Sequence, residues 1–302
     1  MERLRLVAFS RPTGFVAALR NGAFAAEGLA IDFSQATGST AQIRGLLAGE
    51  FDIAHTNADN VMAYVEGEDA DLVVLLVAEL GTGQKLVVRP GIASIAELAG
   101  RTVGVDAVAS GYAFVLYRML ADAGLRRDDY RVASVGGTAE RFAALTSGRV
   151  GGALLSPPFD ERAAASGCRV LVNASTTFPG YPALTVAARR SWAYANRDLA
   201  RRYCRALLAG VRWAADPRNR EAGIDLLAAD LGSDRATAEA HYERERAERE
   251  RVAPTVAEMR EALGRVAALR QEFTGAAAPL DLDRYFDAAY AIVADPSLAA
   301  QR

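Results

Sequence analysis

Residues Ser39 to Asp59 (STAQIRGLLAGEFDIAHTNAD) and Thr138 to Pro158 (TAERFAALTSGRVGGALLSPP) align without a gap at an offset of 99 residues. Each stretch reads as an amphipathic helix, a glycine at its end, a short apolar strand and a polar loop. Leu46 matches Leu145, Gly49 matches Gly148, Phe51 matches Val150 and Ala54 matches Ala153. The likeness extends upstream, where Leu6 to Leu29 and Thr102 to Leu125 end alike in Gly28-Leu29 and Gly124-Leu125. A duplicated unit of this kind predicts two related α/β lobes with a cleft between them.

The 302 residues suffice for two lobes with cores of their own, and 51% apolar with 24% charged residues is the composition of a globular protein. A net charge of −2 leaves no positive excess to neutralise a phosphate backbone, so nucleic acid is not an expected partner. The longest apolar run, Leu72 to Ala78, is far short of the ~20 residues of a membrane helix and reads as a buried strand. A secretory signal needs a basic segment, an apolar stretch and a small-residue cleavage site, whereas Arg3 to Phe9 already alternates like a first strand. The expectation is therefore a cytoplasmic protein if Met1 is the native start, or a periplasmic one if the chain is a mature form. Cys168 and Cys204 are too few for a disulfide framework. All but one of the 35 basic residues are arginine, so Schiff-base chemistry must run through Lys85. A Ser-His-Asp triad must use His55 or His241, and neither has the flanking motif. No metal and no cofactor is expected.

Along the chain, strand Leu4 to Ala8 leads through Ser10-Arg11-Pro12 into a helix over Phe15 to Glu27. Strand Ala30 to Gln35 leads through Gly38, Ser39 and Thr40 into the first repeated helix, with Ser39 or Thr40 as its N-cap. Its strand ends at His55, before Asn57 and Asp59. Lys85 to Arg89 reads as a strand leaving the first lobe. In the second lobe the loops are Ala109 to Tyr112, Gly136 to Thr138 and Leu155 to Phe159. Ligands of α/β sheets lie at the carboxyl ends of the strands, which makes these loops the expected binding edges. Strand Leu184 to Ala187 returns to the first lobe, and the rest is helical, including one helix over Leu282 to Val293. The segment HYERERAERER, His241 to Arg251, alternates in charge and reads as a solvated helix. The expected division is 1–88 for the first part of lobe 1, 89–184 for lobe 2, and 185–302 for the return and C-terminal helices.

SGRVGGALLSPPF, the matching LLAGEFDIAHTNAD and the return GYPALTVAARR together resemble the substrate-binding proteins of ABC importers, in the branch that takes nitrate, sulfonates, taurine and thiamin precursors. The resemblance implies a type II periplasmic-binding fold. Its two lobes are each a mixed sheet flanked by helices, and a helical C-terminal segment packs on the first. It implies a monomer that closes about a hinge on a small organic ligand, anionic or aromatic, and delivers it to a permease with its ATPase. Carried over by position, the ligand contacts fall on Ser10, Arg11, Gly38, Ser39, Thr40, Asn57 and Asp59, and on Ser110, Gly111, Ser156, Pro158 and Phe159. Thr138 lies on the same edge. Helix starts offer free N–H groups and partial positive charge to an anion, and Phe15, Tyr112, Phe159 and Tyr181 offer apolar walls. Each position has a plainer reading. Arg11 makes a surface salt bridge, Asn57 and Asp59 cap a helix, Ser110-Gly111 is a turn, and Phe159 is lobe core. His55 is either a ligand contact and general base or a partly buried ring held by backbone. The base reading belongs to the alternative of a cytosolic lyase or hydrolase on this fold, such as a desulfinase. Ser10 stands where a desulfinase would need a cysteine near the first strand.

Overall fold

Both copies of the repeat take one fold in the computed structural model of the chain, which describes residues 1–275 and 281–299. The first copy forms helix Ser39–Ala48, a turn at Gly49 and strand Ile53–Thr56. The second forms Thr138–Thr146, a turn at Gly148 and strand Gly152–Leu155, each element beginning at the offset of 99. The two glycines have φ of 77° and 82°, a left-handed conformation that costs glycine no Cβ clash.

In chain order the elements are β1 (Glu2–Ala8), α1 (Thr13–Arg20), the short α2 (Ala23–Ala26), β2 (Leu29–Gln35), α3 (Ser39–Ala48), β3 (Ile53–Thr56), α4 (Ala58–Glu68) and β4 (Val73–Gly81). There follow β5 (Lys85–Val88), β6 (Thr102–Val105), α5 (Gly111–Asp122), β7 (Arg131–Ser134), α6 (Thr138–Thr146), β8 (Gly152–Leu155), α7 (Phe159–Ala165), β9 (Arg169–Asn173) and α8 (Ala174–Thr177). The last are β10 (Pro182–Ala188), α9 (Arg190–Ala195), α10 (Arg197–Ala215), α11 (Arg220–Leu231), α12 (Arg235–Glu248), β11 (Arg249–Val252), α13 (Val256–Thr274) and α14 (Ala288–Ala294).

One sheet has the order β11-β4-β10-β3-β1-β2 and the other β7-β6-β8-β5-β9. Apart from β11, the orders superpose strand for strand. β1 lies between β2 and β3 as β6 lies between β7 and β8, all parallel. β10 and β5 are the matching antiparallel strands, each flanked on both sides. This is the mixed α/β architecture of two sheets that the resemblance implies. Unit 1 comprises residues 1–81, 182–265 and 281–299, and unit 2 residues 82–181 and 266–275. Residues 276–280 and 300–302 lie outside the described part of the expected third segment.

β4 is buried along its whole length, the mark of a strand covered on both faces. Helices α10 and α14 pack on it, and Leu4, Leu6, Ile53 and Leu207 are fully buried in the same unit. α1 packs against α10, so the C-terminal helices build unit 1. Cys168 and Cys204 are both free and buried.

The structure departs from the sequence-based expectations at five places. The helix expected over Phe15 to Glu27 breaks at Gly22, which turns left-handed between α1 and α2. Lys85–Val88 does not close the first lobe; it pairs between β8 and β9, so the crossing falls at Gly81-Thr82 rather than after residue 88. The return crossing falls at Tyr181-Pro182, and α13 ends in unit 2, where Phe273 stacks on Phe114 at 6.0 Å. In place of one helix over Leu282 to Val293, a 3-10 turn at Leu282–Arg284 precedes a bridge from Phe286 to Val74, and α14 follows. The charged segment is solvated only in part: α12 stops at Glu248, and β11 adds an edge strand to β4. The Arg249 guanidinium turns inward to Glu79 at 2.8 Å. At Gly81, φ is 137° and a Cβ would lie 2.1 Å from the Glu248 carbonyl oxygen, so only glycine lets β11 approach.

Candidate functional site

In unit 1 the carboxyl ends of β1, β2 and β3 each lead into a helix start. Gly38 is the N-cap of α3, with Ser39 and Thr40 exposed in its first turn. Asn57 caps α4 by accepting from the Asp59 N–H at 3.1 Å, and Asp59 itself is 1% exposed. The capping reading of Asn57 is thus realised, and its carbonyl side chain is directed at the helix rather than outward. Ser10 is exposed beside Arg11. Arg11 is committed to the buried carboxylate of Asp230 at the end of α11, Nε to Oδ2 3.0 Å, and its guanidinium lies 5.2 Å from the Phe33 ring. The salt-bridge reading of Arg11 therefore describes its side chain.

His55 and Phe15 lie in the core of unit 1. The His55 ring is 7% exposed, packs edge-on to Phe15 at 5.5 Å, and pairs through Nε2 with the Tyr203 hydroxyl at 2.7 Å. Burial pushes its pKa down from 6.5 to about 3, so it is neutral at ordinary pH. The backbone partner expected for a buried His55 is replaced by a side chain of α10, and a general base reaching the binding edge is not what this ring forms. Phe15, fully buried against Phe24, is core and not a pocket wall.

The expected residues of unit 2 come together. Ser110 caps α5, accepting from the Ala113 N–H at 3.1 Å and donating to Asp106 Oδ1 at 2.5 Å. Gly111 opens α5 and is buried. Thr138 opens α6, and its Oγ1 lies 3.4 Å from Ser156 Oγ. Tyr112 stacks on Tyr181 with ring centroids 5.3 Å apart, and Phe178 meets Tyr181 edge-on at 5.6 Å, leaving Tyr181 1% exposed. Pro158 follows a cis peptide bond and is the N-cap of α7. Phe159 packs on Phe142 at 5.6 Å against the apolar cluster of this unit, so the core reading accounts for it. The single lysine, Lys85, pairs with the buried Asp160 at 2.5 Å.

Against the Thr138 hydroxyl, which pairs with that of Ser156, lies a residue that sequence reasoning missed. The Arg141 guanidinium is 4% exposed and donates to the Leu154 carbonyl (Nε, 2.8 Å), the Gly136 carbonyl (Nη1, 2.9 Å) and Thr138 Oγ1 (Nη2, 3.0 Å). Burial pulls its pKa down, with Asp106 opposing, yet arginine stays charged. Asp106, Tyr112, Arg141 and Leu154 line one crevice. The repeat holds the signal that was overlooked. Gln42 occupies the equivalent position in unit 1, is buried, and donates to the His55 carbonyl at 2.9 Å, just as Arg141 donates to Leu154. Both copies tie the third strand to the helix with a long polar side chain, but only the second does so with a cation. The Thr138 and Ser156 hydroxyls and the start of α6 beside a buried positive charge form a setting for an anionic group, with the Ser110 hydroxyl turned instead to the Asp106 carboxylate.

A family model described as the NMT1-like family matches residues 6–228. No curated protein matches the chain in sequence. Among solved structures, the periplasmic aliphatic sulphonate binding protein SsuA from Escherichia coli is 22% identical, with a TM-score of 0.74 over 96% of this chain and 99% of that one. The periplasmic nitrate-binding protein NrtA from Synechocystis PCC 6803 is 13% identical, with a TM-score of 0.78 over 99% and 89%. The desulfurization enzyme DSZB is 18% identical, with a TM-score of 0.70 over 98% and 99%. At these identities the structures share the fold of this chain.

Proposed function

The chain belongs to the NMT1-like family, and on that premise we propose that it is the solute-binding component of an ABC importer. In this reading it works outside the cytoplasm as a monomer and hands a small organic ligand to a permease driven by an ATPase, as the names of the sulphonate- and nitrate-binding relatives suggest. The observation that carries the choice of ligand is the unit 2 edge, where the paired Thr138 and Ser156 hydroxyls stand beside the buried Arg141. Arg141 and the Thr138 and Ser156 hydroxyls beside it are held in place before any ligand arrives, which lowers the cost of ordering them on binding. A ligand with one carboxylate or sulfonate group fits this edge, with the half-buried Tyr112 ring, backed by the buried Tyr181, beside it for an apolar portion. Binding shifts a closure equilibrium only as far as the closed state holds the ligand more tightly. No residue is assigned a catalytic role, and His55, buried against Tyr203, serves unit 1 as structure.

Mass spectrometry of ligand released from the denatured protein identifies the compound, and calorimetry with it tests the site. Arg141→Gln copies the residue of the first repeat, keeps a donor for Leu154 and removes the charge. It is expected to fold, and to bind the anionic ligand about tenfold more weakly, the size of one charge-assisted interaction of ~1.4 kcal/mol. Unchanged affinity would place the anion elsewhere. Failure of the wild type to bind any member of a panel of small sulfonates and carboxylates would remove the transport reading itself.

A further inference from the structure

The Arg141 guanidinium and the Asp106 carboxylate line one crevice of unit 2, and among the described residues no ion pair joins them. Asp106 follows β6, at the carboxyl end of the strand that lies between β7 and β8. Its Oδ1 accepts from the Ser110 hydroxyl at 2.5 Å, and its backbone carbonyl accepts from the Ser134 hydroxyl at 2.9 Å, so its position is fixed from both sides. Asp106 is half-buried, and among the described residues no cation pairs with its carboxylate. Arg141 directs its donors elsewhere. Among the described residues, three of its five N–H groups reach the Leu154 and Gly136 carbonyls and Thr138 Oγ1, and none reaches a carboxylate. The other two are left for an outside acceptor.

The charges nevertheless act on one another. Asp106 leads the groups that oppose the effect of burial on Arg141, ahead of Tyr112 and of the exposed Glu140 on α6. One cation therefore faces two carboxylates. A ligand that offers only an anion gains the Arg141 charge but stands near Asp106 and Glu140, and repulsion is stronger where water is shut out. A ligand that also carries a cation turns the Asp106 contact into an attraction, and the Tyr112 ring in the same crevice adds an aromatic surface suited to a cation. Unit 1 has neither charge in the corresponding places: Phe9 and Ser10 follow β1, and Gln42 stands where unit 2 has Arg141. The acid and the base thus occur together in one copy of the repeat.

We infer that Asp106 is a specificity-determining residue: while Arg141 holds the acid group of the ligand, the Asp106 carboxylate receives an ammonium group a few bonds away, so the protein prefers zwitterions to plain anions. The inference rests on the proposed binding function and names the ligand class of that site. Every group it uses belongs to unit 2.

The test uses the full chain and matched pairs of compounds, propanoate with 3-aminopropanoate and ethanesulfonate with 2-aminoethanesulfonate. By calorimetry the aminated member of at least one pair is expected to bind about tenfold more tightly than its plain partner, the effect of one added charge-assisted hydrogen bond. Equal affinity within both pairs overturns the inference. Asp106→Asn keeps the shape of the side chain and an acceptor for Ser110 but removes the charge. It is expected to tighten the plain anion, weaken the aminated one and so lose the preference; a preference unchanged in this variant overturns the role of Asp106. Should Asp106→Asn fail to fold, Asp106→Ser removes the charge with a shorter side chain, and the same two outcomes decide. Equal binding of both members of each pair removes this inference and leaves the transport reading standing, whereas a wild type that binds no member of the wider panel of sulfonates and carboxylates removes both.

Discussion

Between pH 7 and pH 3.5 the wild type is expected to lose about 4 kcal/mol more folding stability than His55→Gln, at about 1.4 kcal/mol for each pH unit separating the two pKa values. The His55 ring is enclosed by Phe15 and Tyr203, and its Nδ1 is buried without a partner among the described residues. Protonation inside that site adds an uncompensated charge, which is why burial lowers the pKa to about 3. The unfolded chain protonates near 6.5, so a group depressed in the folded state contributes stability above that pH and loses it as the pH falls toward 3. Glu79 acts in the opposite direction. Burial pushes its carboxyl up to about 7, against the pull of Arg249, and folding gains from it as the pH falls from 7 to about 4.5. The difference between wild type and variant, not the raw slope, isolates the histidine. Denaturant midpoints at a series of pH values give that difference; parallel curves for the two proteins would show that the imidazole titrates freely in the folded state.

Gly210→Ala is expected to cost roughly 3 kcal/mol or more, the upper range for inserting atoms into a packed core. A Cβ at this position would lie 2.3 Å from the Gly14 carbonyl oxygen and 2.5 Å from the Ala18 backbone nitrogen. These are backbone atoms, so no rotamer change relieves the clash and α1 must move away from α10. Gly14 is equally confined from the other side, where its Cβ would lie 2.9 Å from the Val211 Cα. Moving α1 also withdraws the Thr13 N–H from the Glu245 carboxylate that accepts from it, so loss of stability and a changed Thr13 amide signal are expected together. Gly264→Ala serves as the contrast within α13. Among the described residues its Cβ would meet only Leu282 Cδ1, at 3.7 Å, and helix propensity favours alanine there by up to ~1 kcal/mol. Thermal unfolding of both variants decides the point; equal midpoints would refute the packing argument.

What was legible in the sequence was local. A helix followed by glycine and an apolar strand is written in neighbouring residues, and both copies begin and end where the pattern puts them. Ser110 at the start of α5 was legible for the same reason, since an N-cap needs only the next few residues. Partners far along the chain were not. Lys85–Val88 reads as a strand in either sheet, and only its pairing with β8 and β9 decides between them. Arg11 looked free for a ligand because Asp230 lies more than two hundred residues away. His55 ends an apolar strand beside polar residues, which suits a binding edge as well as a core, and Tyr203 on α10 decides for the core. Alternating charges in His241 to Arg251 satisfy a solvated helix, yet Glu245 and Arg249 find fixed partners in Thr13 and Glu79. Arg141 was visible as the counterpart of Gln42, but only a search for polar residues on the inward faces of both repeats finds it.

The exchange of β5 and β10 also sets a timetable for synthesis. β3 and β4 leave the ribosome early, but the strand that belongs between them, β10, is made only after the whole of β5 to β9. Until then the first sheet exists as two pieces, β2-β1-β3 and β4, each with an unpaired edge. The second sheet needs only its own consecutive stretch, β5 to β9, and can close first. The sheet that is translated first is therefore the one completed last, and the nascent chain carries its exposed edges from the synthesis of β3 until that of β10.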